Sequence, residues 1–179
     1  MTPSRRRPLG DLRSHRSERF LYSMLLLAFD PDSIGEPSEK QAAELAETSE
    51  MNLRYGYFGT RVSIAAAGFQ PDELRVPLLD FAHCVLLAAR AVSDGQPGRI
   101  GFTDSSMLIE FVPAAGELAV LRSWDPVPGS CGTAEFLESA YRFSVDALRS
   151  IAERYPAFRK NAYRGVLGGM IEAIDRAER

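Results

Sequence analysis

The chain has 179 residues, 45% of them apolar and 25% charged, and a net charge of −3. That balance excludes a largely disordered or collagen-like chain, and the length suits one domain with a sizeable core. Two cysteines, Cys84 and Cys131, with no C-x-x-C spacing, exclude a disulfide framework and a zinc knuckle and point to reduced thiols in the cytosol.

The charge is unevenly placed. Residues 1–19 carry six arginines against Asp11 and Glu18, a local charge of +4, which leaves −7 for the remainder. Residues 1–17 read as a disordered basic leader and 18–179 as a single domain. "SRRRPLG" ahead of "FLYSMLLLAF" imitates an export signal, but Glu18 and Arg19 abut the apolar run and no A-x-A-like cleavage site follows. The run is also too short to span a bilayer, so a cytoplasmic protein without membrane contact is expected. An acidic body repels phosphate and suits a basic protein partner.

Residues 19–29, "RFLYSMLLLAF", are apolar on both faces and fit a buried strand or a buried helix; shortness favours the strand. "DPDS" stops it. Ser38 and Gln41 make a capping-box pair that opens a helix over 38–48. Residues 52–70 read as extended chain, because Tyr55, Tyr57, Val62 and Ile64 are strand formers and Gly56 and Gly59 suit a bend. Pro77 then suits the first turn of a helix over 78–93. One face of that helix carries Leu78, Ala82, Val85, Leu86, Ala89 and Val92; another carries Asp80, His83, Leu87 and Arg90.

"DGQPG" ends the helix, and three strands follow at 99–103, 107–112 and 117–124. Met107, Ile109 and Phe111 oppose Leu108, Glu110 and Val112. Leu118, Val120, Arg122 and Trp124 oppose Glu117, Ala119, Leu121 and Ser123. A charge within each strand predicts one face on a core and one near water. "DPVPGSCG" reads as a loop, and Thr133 as the cap of a helix over 134–155 with a buried stripe of Leu137, Tyr141, Val145, Leu148 and Ala152. Pro156 ends it. A last helix, 162–176, holds Gly165, Gly168 and Gly169; each costs about 1 kcal/mol relative to Ala, so close packing against a neighbour is expected there.

Chemistry-bearing groups are sparse. An Asp80–His83 pair one helical turn apart could orient an imidazole for base work. Its plainer reading is a surface salt link beside a small buried thiol, Cys84. Cys131 precedes a helix, whose dipole lowers a thiol pKa. Asp80, His83 and Cys131 together give an enzymatic alternative, and the arginines of the leader a nucleic-acid alternative. The acidic pairs Glu135/Glu138 and Asp72/Glu73 read as solvated charge. No G-x-G-x-x-G, Walker loop or G-x-S-x-G occurs. No metal or cofactor is expected. Tyr55, Tyr57, Arg61, Arg122 and Trp124 place aromatics and arginines on strands, which is what a binding face uses if they are exposed together; otherwise they are core and rim.

The stretch "VPLLDFAHCVLLAARAVSDGQPGRIGFTDSSMLIEFVPAAGELAVLRSW", with the later "RYP", resembles a group of small actinobacterial domains of unknown function. Similar α+β domains serve as immunity proteins that neutralise polymorphic toxins. The resemblance spans about residues 52–165 and rests on structural motifs, so it carries no site residue across. It implies a single-domain binder.

The expected fold is α+β, with one antiparallel sheet of about five strands, helices mainly on one face and a long C-terminal helix pair. The expected function is a non-enzymatic cytosolic binding protein, immunity-like, that occludes a basic partner.

Overall fold

The computed structural model describes residues 24–103 and 105–177; the leader and residues 18–23 lie outside them. Among the described residues seven strands form two antiparallel sheets, of three and four strands, which corrects the expectation of a single sheet. In the first, β1 (Leu26–Phe29) pairs with β2 (Gly59–Ala66), and β2 with β3 (Phe69–Pro77). In the second, β4 (Gly98–Gly101), β5 (Leu108–Ala114), β6 (Glu117–Arg122) and β7 (Asp125–Gly132) follow in chain order. One isolated bridge joins the sheets, with Ser130 N donating to Ala67 O at 2.8 Å and Ala67 N to Ser130 O at 3.2 Å.

Two strands were hidden by their prolines. Pro71, Asp72 and Glu73 obscure β3, and Pro126 and Pro128 obscure β7. A proline is tolerated where its missing N–H would face away from a partner, and both strands lie at sheet edges. At the β2–β3 turn Gly68 has φ +106°, and a Cβ there would stand 2.8 Å from Pro128 O. Glycine therefore permits the approach of this hairpin to β7.

Five α-helices accompany the strands among the described residues: α1 (Glu39–Glu44), α2 (Glu50–Tyr55), α3 (Leu78–Ser93), α4 (Thr133–Arg154) and α5 (Ala162–Ala177). The capping box of Ser38 and Gln41 is present at α1. The extended reading of 52–70 is corrected at its start. Ser49 accepts from Asn52 N, Leu53 is fully buried, and one helical turn and a half carries the chain to Tyr55. Burial of one leucine outweighs the strand preference of the tyrosines.

α3 has the expected bounds and lies at the centre, touching β3, β4, β5, α2, α4 and α5. A chain of ring contacts crosses the core from sheet to sheet: Phe29–Phe143 (5.5 Å), Phe143–Phe81 (5.3 Å), Phe81–Phe102 (6.0 Å) and Phe102–Trp124 (6.0 Å). Each such pair adds about 0.5–1.5 kcal/mol beyond its burial. Leu137, Leu148 and Ala152 of the expected stripe are buried, and the deepest side of α4 is Phe136, Ala140, Phe143, Ala147 and Ile151. Glu135 is not solvated charge. Its carboxylate accepts from Gly132 N at 3.1 Å and from Leu25 N, which clamps the start of β1 to the start of α4. The glycines of α5 are also corrected: a Cβ on Gly165, Gly168 or Gly169 would meet nothing within 4 Å.

Candidate functional site

Arg122 ends β6 on the same face as Val120 and Leu118, so strand alternation drives its side chain inward. The side chain is 2% exposed. Its guanidinium donates to Asp72 Oδ2 at 2.5 Å, to Asp125 Oδ2 at 2.8 Å and to Val127 O at 3.2 Å, and lies 3.7 Å above the Phe69 ring. Trp124 Nε1 donates to the same Asp72 oxygen at 3.3 Å. Asp72 and Phe69 belong to the first sheet, so this cluster ties the sheets together. The charge expected near water on this strand is in the core instead. Arg122 Nε has no hydrogen-bond partner among the described residues.

Asp80 and His83 sit one turn apart on α3 but do not bond each other. Asp80 is 4% exposed. Its Oδ1 accepts from Arg54 Nε at 2.9 Å, and its Oδ2 from Thr103 Oγ1 at 2.7 Å. Burial works against the Arg54 charge, but the Asp80 carboxylate overcomes it and raises the guanidinium pKa. Arg54 also reaches Glu50 on the helix surface at 3.3 Å. His83 Nδ1 shares a hydrogen bond with Tyr163 Oη at 2.8 Å. Burial, then the Arg54 charge, lowers the His83 pKa. Burial likewise raises the phenol of Tyr163 and the thiol of Cys84. Cys131 stands on β7 opposite Leu118, and its neighbouring charges are Glu135 and Glu117. Burial foremost, with those carboxylates, pushes its thiol up to about 12, so the helix start does not yield a thiolate. The structure brings Asp80 and His83 into one polar cluster with Arg54 and Tyr163, and Cys131 is not part of it.

The remaining sequence candidates divide. Tyr55 is exposed and Tyr57 half-buried; both border one hollow of about 280 Å³ beside Glu36, Gln41 and Arg75. Arg61 lies on the solvent face of β2, paired with Asp30 and directly opposite Arg75. Trp124 is half-buried against Phe102.

A group that strand reasoning passed over surrounds the tyrosines. Residues 30–50 contain seven acidic side chains and only Lys40 as a cation. Six of the seven, Asp32, Glu36, Glu39, Glu44, Glu47 and Glu50, are exposed. Asp30, Asp32 and Glu50 meet arginines, whereas Glu36, Glu39, Glu44 and Glu47 make no ion pair within the described residues. Met51, 69% exposed, and Tyr55 stand one turn apart on α2 beside this acid. The density of acid between 30 and 50 was the signal available in the sequence.

Among the described residues no group of three or more His, Cys, Asp or Glu side chains could hold a metal ion, and no helix is long and apolar enough to cross a membrane. Comparison with protein-family models, curated proteins and solved structures found no match.

Proposed function

We propose that the protein is a non-enzymatic binding protein that occludes a basic partner protein, in the manner of an immunity protein, through the face built by α1, α2 and the tyrosines. The observation that carries this reading is the set of four exposed glutamates, without an ion pair among the described residues, beside exposed Met51 and Tyr55. Charge complementarity speeds encounter and selects partners, while exposed aromatic and thioether side chains supply the area that holds them. Both thiols are free, which fits action in the cytosol.

Co-purification of the tagged protein from its native host at low salt tests the reading. A partner retained by the unaltered chain, and lost both in high salt and on Glu36→Lys/Glu39→Lys/Glu44→Lys/Glu47→Lys substitution, is the expected result. Recovery of the protein alone under mild, low-salt conditions would sink it.

A further inference from the structure

Three hollows on this side of the molecule share their borders. An open one of about 570 Å³ is edged by Asp32, Glu36, Glu39 and Arg154. It shares Glu36 and Pro37 with the tyrosine hollow, which in turn shares Arg75 and Pro77 with a third of about 200 Å³. The third is walled by Leu74, Val76, Phe81, Phe102 and Met107, and Asp80 borders it. The series runs from acid, with Arg154 at its edge, past aromatic rings and the exposed Arg75, to an apolar pit.

We propose that this series is one groove for an extended basic segment of the partner. This rests on the binding reading above and specifies what the partner presents. Lysines or arginines lie along the acidic end, and one large apolar side chain enters the Phe102–Met107 pit. A row of adjoining hollows suits an extended chain, which presents alternate side chains to one face. The anchor is apolar because Asp80, the carboxylate at the pit, already holds Arg54 and Thr103 and does not require a further cation. The residue crossing Pro77 is not basic, because Arg75 is exposed there, faces Arg61 across the strands and makes no ion pair among the described residues. The glutamates supply steering and salt dependence; the pit supplies the anchor.

The probes are fluorescein-labelled peptides made in both chain directions, with arginines at one end, a neutral spacer and a single phenylalanine at the other. A matched set has alanine for the phenylalanine. Anisotropy is read with the full chain. The phenylalanine peptide of one direction is expected to bind about tenfold tighter than its alanine counterpart. Gly101 borders the pit and a Cβ there would meet nothing within 4 Å, so Gly101→Phe sets a bulky ring at the mouth of the pit. It is expected to abolish the phenylalanine preference while an unchanged thermal melt reports an intact fold. Glu36→Lys/Glu39→Lys is expected to weaken both peptides and flatten their salt dependence.

Equal binding of the two peptides, or a preference that survives Gly101→Phe, overturns the groove. If the charge reversals still act in that case, the binding reading stands without the groove; if they do not, both fall. Binding that appears only after residues 1–19 are removed would assign the groove to the chain's own basic leader. A dimer in sedimentation that dissociates on Gly101→Phe would assign it to a second copy. Either result overturns the proposal.

Discussion

Replacing Arg122 tests whether its side chain holds the sheets together or serves a partner. Arg122→Ala removes a stacked guanidinium and leaves Asp72 to the Trp124 indole N–H and Asp125 to Val127 N, without their cation. Breaking a buried pair typically costs about 3–5 kcal/mol. Here both carboxylates are partly open to water, with side chains 28% and 36% exposed, so solvent takes up part of the loss. A cost of roughly 2–4 kcal/mol is therefore expected, including about 1–2 kcal/mol for the contact with the Phe69 ring. In a domain of this length that lowers Tm by roughly 5–15 °C. Arg122→Lys keeps the charge but not the planar fork, and should lose most of the same stability. Arg122→Met keeps the stem against Phe69 and removes the unpartnered Nε, so it should cost less than alanine. Urea titration followed by circular dichroism gives the three values. Alanine and wild-type midpoints that coincide, or a lysine variant as stable as arginine, would refute the bridging role and return Arg122 to the list of surface contacts.

Asn161 offers a second test. Its Nδ2 donates to Leu45 O at 2.7 Å and Thr48 O at 2.9 Å, and its Oδ1 accepts from Tyr163 N at 2.8 Å, so it caps α5 and ties it to the α1–α2 connection. Asn161→Ala should cost about 2–3 kcal/mol in the same titration, and Asn161→Asp more, because a carboxylate would face those carbonyls. Gly168→Ala on α5 meets open space and should raise stability by about 0.5–1 kcal/mol; a loss would mean that the backbone there has a neighbour after all. His83 has a folded pKa below its ordinary value, so the unfolded chain binds the proton first. Stability should be intact above the unfolded pKa near 6.5, fall as pH drops from there toward the folded pKa, and do so less steeply in His83→Gln. A flat difference between the two proteins across that range would exclude His83 as the titrating group.

The sequence by itself determined the elements whose periodicity was strong or whose signals were local. The bounds of α3, the two faces of β5 and β6, and the Ser38–Gln41 cap needed nothing beyond neighbours along the chain. The tertiary structure decided everything that depended on which surfaces meet. β3 and β7 became strands because an edge position forgives a proline, and no local pattern announces an edge. Arg122 moved from a candidate contact to a core bridge because Asp72, fifty residues away, was there to neutralise it. The acidic run of 30–50 was visible as composition. It became a face only when α1 and α2 turned it outward beside Tyr55, which short helices of six residues achieve by packing and not by propensity.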